Sequence, residues 1–340
     1  MANGSPGITS MKRPRFALFA GVCLAAMALL LVCKVSIPQA GPARALGAGP
    51  DAAPILSLEE IAPGVYVSQG RYEIASADNR GQISNIGFIV GGEAVAIIDT
   101  GGSAAVGHAL KAAVRRITPL PIRYVINTHM HPDHVLGNAA FSDSNENVVF
   151  AGHSKLARAL RARGAHYLQS NRELIGELAF SGTRIIFPAR EVADSLTLDL
   201  GGRELRLTAH PTAHTDNDLT VFDVQTRTLW LGDLLFSRHI PVIDGSISGW
   251  LEVIKKLKTE NAARVVPGHG PPSLPWPEAA NAQMRYLSGL RDAVRRYIDE
   301  GRIMGDAQRD ILADPSENWL LSEEYQARNV SAAFTSLEWE

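Results

Sequence analysis

Three histidines and one aspartate fall within six residues of this 340-residue chain, in Thr128-His129-Met130-His131-Pro132-Asp133-His134. A lone histidine is usually structural, but donors packed this densely read as a metal-ligand loop. His129 and His131 are two apart, and the turn made by Pro132 brings Asp133 and His134 to the same cleft. The cluster directly follows a strand-like run at 122–127. One cluster does not fill two metal sites, and other candidates stand at strand ends. They are His214 in Ala213-His214-Thr215-Asp216, Asp233 in Leu231-Gly232-Asp233, and His269 in Pro267-Gly268-His269-Gly270. Glycine on both sides of His269 permits the tight backbone a ligand loop needs. Asp99 closes the apolar run Ile97-Ile98 in the same way.

The elements that must position these residues alternate in type. Short apolar runs bounded by glycine at 65–67, 86–90, 94–98 and 122–127 predict strands. The spacing at 104–117 predicts a helix, with Val106, Leu110, Val114 and Ile117 on one face. A helix at 154–164 is expected to end at Gly164. Close-set runs at 185–187, 196–200, 205–208, 219–224 and 228–231 predict strands, with Gly201-Gly202 as a hairpin turn. Helices follow at about 248–258 and 277–300 on either side of a strand at 264–266. The hairpins exclude an all-parallel doubly wound sheet, and two packed sheets with helices outside satisfy the order.

Composition bounds the function. The chain carries 33 Lys and Arg against 35 Asp and Glu, and residues 1–45 hold five of the bases and no acid. The body is therefore mildly acidic, which gives no reason to expect nucleic-acid or anionic-lipid binding. Residues 16–33 are an unbroken apolar run behind Lys12, Arg13 and Arg15, the layout of an export signal or N-terminal anchor. The organisation read is a leader or anchor at 1–45, a linker at 46–57, one domain at 58–304, and a tail at 305–340 docked on it. Cleaved or uncleaved, the leader puts the body outside the cytoplasm: periplasmic, secreted, or anchored to the outer face of the inner membrane. Both cysteines, Cys23 and Cys33, lie in the leader, so the body has no thiolate to ligate metal or attack a substrate.

With these segments in order — IIDTGG, HMHPDH, AHTDND, LGD and PGHG — the chain resembles the metallo-β-lactamase superfamily of metallohydrolases over about 60–270. Its ligand set is similar to that of glyoxalase II-like hydrolases. SNIGFIVGGEAVAIIDTGG, LGDLLF and the ending SLEWE resemble the bacterial quinoprotein relay system zinc metallohydrolases. The resemblance implies an α/β fold, a four-layer αββα sandwich of two mixed sheets with helices on the outer faces. It implies one metal on His129, His131 and His214, a second on Asp133, His134 and His269, Asp233 bridging both, and Asp99 orienting the ligand loop. Imidazole and carboxylate without thiolate suit two Zn²⁺, with Fe or Mn as the other metals such donors take.

The activity implied is that of a binuclear zinc hydrolase. A hydroxide bridging the metals attacks the carbonyl of an ester, thioester, amide or lactam, and Asp133 is its catalytic acceptor. The partner expected is a small-molecule substrate, with a functional link to a quinoprotein dehydrogenase and membrane contact only through an uncleaved leader. The alternatives are a β-lactamase, a mononuclear iron oxygenase of the persulfide-dioxygenase type, and a non-catalytic metal-binding accessory protein. His108, His153 (opening a helix), His166 and His210 read first as structural residues, and Trp250 equally as a pocket-lining or a helix-packing residue. Arg71, Tyr72, Arg238 and His239 are weaker candidates for substrate contact.

Overall fold

The apolar runs of the first half pair into one sheet in the computed structural model, which describes residues 56–142 and 147–340. Strands β1 (Glu59–Ala62), β2 (Val65–Ser68), β3 (Ile86–Val90) and β4 (Val95–Ile98) are antiparallel neighbours. Strands β5 (Ile122–Ile126), β6 (Val149–His153) and β7 (Arg190–Val192) then add in parallel. In the second sheet β8 (Ser195–Asp199), β9 (Glu204–Ala209), β10 (Leu219–Asp223) and β11 (Thr228–Phe236) form an antiparallel meander. Strand β12 (Arg264–His269) pairs in parallel with β11. The helices are α1 (Ala104–Ile117), α2 (Pro132–Val135), α3 (Ala139–Ser142), α4 (Leu156–Ile175), α5 (Glu177–Phe180), α6 (Ile247–Leu257), α7 (Ala280–Asp299), α8 (Met304–Asp310) and α9 (Ser322–Leu337).

Four layers result, because each sheet is apolar on both faces. Val67, Ile89, Ala96 and Ile98 of the first sheet meet Leu205, Leu207, Val221 and Trp230 of the second. The outward residues of the first sheet, among them Phe88, Val95 and Ile97, pack on Val106, Leu110 and Val114 of α1. Leu229, Leu231 and Val265 face outward from the second sheet onto Trp250 of α6, Leu287 of α7 and Val330 of α9. This is the αββα sandwich the sequence pattern implies. The buried Arg203 ties the sheets together: its Nε and Nη2 hold both oxygens of Asp223 at 3.0 and 2.6 Å, and Nη1 donates to Val90 O at 2.8 Å.

Several expectations need correction. Helix α4 does not stop at Gly164; a Cβ there would crowd Ile185, so the glycine admits a neighbour. The stop comes at Gly176, at φ 89°. Residues 185–187 form no strand, and the strand lies at β7 instead. His153 ends β6 rather than opening a helix, and its Nδ1 accepts from Lys155 N–H at 3.0 Å. Segment 305–340 places Ala307, Trp319, Val330, Ala333, Phe334 and Leu337 in the same core as α6 and α7. The leader 1–45, its apolar run and most of the linker lie outside the described residues. No helix among the described residues is long and apolar enough to cross a membrane.

Candidate metal centre

The putting-together of the site begins at strand ends. Asp99 follows β4 at φ 54°, and its Oδ1 accepts from Thr128 N–H at 2.8 Å just after β5. Its Oδ2 accepts from Thr128 Oγ1 at 2.7 Å and lies 2.8 Å from His134 Nδ1. The loop between them turns through α2, where Pro132 takes the first helical position, which needs no N–H. Buried amides underpin that turn: Asn127 Nδ2 donates to His134 O at 3.1 Å, and Asn138 Nδ2 donates to Asn127 Oδ1 at 2.7 Å. His214 comes from the loop after β9, Asp233 from within β11, and His269 from the end of β12. In the His214 loop, Asp218 accepts from both the N–H and the hydroxyl of Thr215, at 2.9 and 2.6 Å.

All seven expected ligands come together in two sets, His129, His131, His214 and Asp233 beside Asp133, His134 and His269. Within the first set each ring is fixed by its other nitrogen. His214 Nδ1 donates to Val242 O at 2.7 Å, His131 Nε2 to Asp244 Oδ2 at 2.9 Å, and His129 Nδ1 lies 3.0 Å from Thr128 Oγ1. With the Thr128 proton committed to Asp99, its oxygen accepts from His129. Three bare nitrogens therefore converge: His131 Nδ1 is 3.1 Å from His129 Nε2 and 3.0 Å from His214 Nε2. Lone pairs aimed at one another suit a shared cation.

Asp233 joins the sets. Its Oδ2 lies 3.6 Å from His129 Nε2 and 3.4 Å from His214 Nε2, while its Oδ1 lies 3.2 Å from His134 Nε2 and 3.5 Å from His269 Nε2. Asp133 Oδ2 completes the second set at 3.4 Å from His134 Nε2 and 3.3 Å from His269 Nε2. His134 Nε2 and Asp233 Oδ1 are buried and make no hydrogen bond despite their proximity. Such orphaned donors fit a metal ion placed among them, and no thiolate is needed.

The electrostatics divide along the same line. Burial, with the neighbouring histidines, holds His129 well below the usual imidazole range, and burial brings His214 down to about 3. At the second set burial also opposes charge, but the Asp233 and Asp133 carboxylates overcome it. His134 is held well above its ordinary value and His269 is pushed up to about 9. Burial thus keeps His129 and His214 of the first set neutral, while the second set draws positive charge.

A cavity of about 490 Å³ opens onto both sets and is walled by α4, α9 and residues 74–83. His239 lines it, with its Nδ1 donating to Ile240 O at 2.6 Å and its ring 4.8 Å from that of His269. Trp250 backs the site instead, 5.2 Å from the His214 ring, with Nε1 donating to Leu234 O. Arg238 sits over the Tyr72 ring at 5.8 Å and Arg71 pairs with Glu73; none of these three lines the cavity. His210 stays in the fold, 2.8 Å from Thr220 Oγ1, and His108 is exposed on α1. Sequence reasoning missed Asp244, Thr128, Tyr167 and Tyr325. Only Asp244 carried a signal, an acid ending the apolar run Val242-Ile243 much as Asp99 ends its own.

A model of the family described as the metallo-beta-lactamase superfamily matches residues 79–269. A linear primary-alkylsulfatase of Pseudomonas sp. is 24% identical over 214 residues, 53% of this chain. The chain spans 40% of the length of that curated relative. Among solved structures, the stereoselective inverting sec-alkylsulfatase Pisa1 from Pseudomonas sp. aligns with a TM-score of 0.63 at 16% identity, over 83% of this chain and 50% of its own. A metallo-beta-lactamase from Pontibacter korlensis aligns with a TM-score of 0.54 at 18% identity, over 68% of this chain and 99% of its own. At these identities the two solved structures speak for the fold.

Proposed function

The chain belongs to the metallo-beta-lactamase superfamily, and from that premise we propose that it is a hydrolase holding two divalent metal ions, zinc by donor chemistry. The bond it cleaves is an ester, thioester, amide or lactam. The observation that carries this reading is Asp233, one oxygen turned to each imidazole set. When bound, a pair of such ions supplies Lewis-acid activation of water and substrate at neutral pH.

The chain's own residues do the remaining work. His129, His131 and His214 bind through nitrogens that their supports keep bare. Asp99 keeps the Nδ1 proton of His134 and so turns its Nε2 inward. Asp133 is 15% exposed where its neighbour His134 is fully buried, so its carboxylate reaches the cavity, where it would accept a hydrogen bond from the attacking water and aim it. Phe236, stacked on His269 at 5.0 Å, excludes solvent from the second set. A second reading, hydrolysis of a sulfate ester, is favoured by the alkylsulfatase among the relatives. Export by the basic and apolar leader, and service to a quinoprotein dehydrogenase, complete the proposal.

The test is the purified protein with its metal quantified, assayed against para-nitrophenyl esters, thioesters, lactones, nitrocefin and alkyl sulfates. The expected result is two zinc ions per chain and carbonyl-ester turnover that the Asp133→Ala variant loses while staying folded. One iron per chain with oxygen consumption, or metal without any hydrolysis, would overturn it.

A further inference from the structure

The cavity over the ligand sets has walls that the metal chemistry does not use. Helix α4 presents one stripe to it, Arg163, His166, Tyr167, Ser170, Asn171 and Leu174, at the spacing of a single helical face. Helix α9 presents Tyr325 and Arg328, also one turn apart. These α9 residues lie beyond the span that the family model matches.

The cations of the wall are not equivalent. Arg163 is bound to Asp244, the carboxylate that also holds His131. Arg328 is exposed and makes no ion pair or hydrogen bond among the described residues, with Glu324 one turn away included. The nearby acids Asp133 and Asp233 face the imidazoles of His134 and His269 instead.

Tyr167 and Tyr325 line the same cavity as Arg328. The Tyr167 ring stands edge-on 6.4 Å from His131, and the Tyr325 ring lies 5.5 Å from His239, the neighbour of His269. Burial raises both phenols above the ordinary tyrosine range, and the Arg328 charge opposes the rise at each. Ile74, Ile83 and Leu174 give the same cavity an apolar side.

From this geometry we infer that the substrate carries an oxyanion, separated by a short apolar spacer from the bond that is cleaved, and that Arg328 binds it. The inference rests on the hydrolase reading above. A guanidinium forks onto a carboxylate or similar oxyanion with two parallel donors, which sets both affinity and orientation.

The test compares matched substrates on the zinc-loaded full chain, the para-nitrophenyl ester of hexanoic acid and the para-nitrophenyl monoester of adipic acid. The anionic ester is expected to be preferred in kcat/KM, and Arg328→Gln to cut that preference about tenfold, with Arg328→Lys intermediate. Calorimetric binding of adipate against hexanoate gives a readout independent of turnover and is expected to lose about tenfold in the same ratio. An unchanged ratio in both measurements, with the unfolding temperature preserved, overturns the inference. If neither ester is turned over but Arg328→Gln still weakens adipate selectively, the hydrolase reading fails and the anion site stands.

Discussion

Asp244 carries part of the first imidazole set without belonging to any motif. Its Oδ2 takes the Nε2 proton of His131, so His131 offers Nδ1 to the centre. Replacing it by Asn leaves a side chain that can present either oxygen or N–H₂ to the ring. Asp244→Asn is expected to weaken metal binding by about 10–100-fold, read by chelator competition. Unchanged affinity would remove Asp244 from the supporting role.

A second prediction at this scale concerns acid. Burial pushes His210 down to about 4, so it stays neutral in the fold where the unfolded chain would be protonated. Between the ordinary imidazole value and about 4 the unfolded state binds more protons, so stability rises with pH across that window and falls on acidification. The loss is at most roughly 3 kcal/mol. Denaturant melts of His210→Gln between about pH 4 and about pH 7 should show a shallower slope than the parent.

At the scale of elements, the second ligand set depends on where β11 and β12 run side by side. Gly232 holds φ 51° beside Thr128, and any Cβ at Gly268 would overlap Asp233 Oδ1. Gly268→Ala therefore drives the bridging carboxylate off its line. Metal content should fall and activity drop about 10–100-fold, with a stability loss of about 1–3 kcal/mol. Metal analysis beside a denaturation curve separates the two effects, and full metal content in a folded variant would contradict the assignment.

The same scale shows what could be read in advance. The motif at 129–134, the acid or histidine closing each apolar run, and the bounds of α1 are local facts of spacing. Strand β11 ran past Gly232-Asp233 to Phe236 because Leu234 and Leu235 continue its apolar faces. Tyr325 and Arg328 were not legible as site residues, and Asp244 showed only as an acid ending an apolar run, since each meets the centre by packing across a long stretch of chain. The His131–Asp244 contact spans 113 positions, and neither end names its partner.

Over the whole molecule, α9 reaches the candidate metal centre through the segment 240–244. The buried Asn329 donates to Pro241 O at 2.6 Å and to Tyr286 Oη at 2.8 Å, and accepts from Ile243 N–H at 3.0 Å. Between those anchors lies Val242, whose carbonyl orients His214, and next comes Asp244, which orients His131. Asn329→Ala strips these partners from buried groups and is expected to cost roughly 2–4 kcal/mol by thermal or denaturant unfolding. Its distinguishing mark is weaker metal retention, though no atom of Asn329 touches a ligand. Lost stability with undiminished metal affinity would restrict Asn329 to packing.

That clamp also orders assembly in time. Every ligand leaves the ribosome before Asn329 does, so a nascent chain already exposes all its histidines while the strap behind two of them is still loose. The finished geometry arrives only when the late helix seats, so on the proposed reading selective metal capture follows synthesis rather than accompanying it.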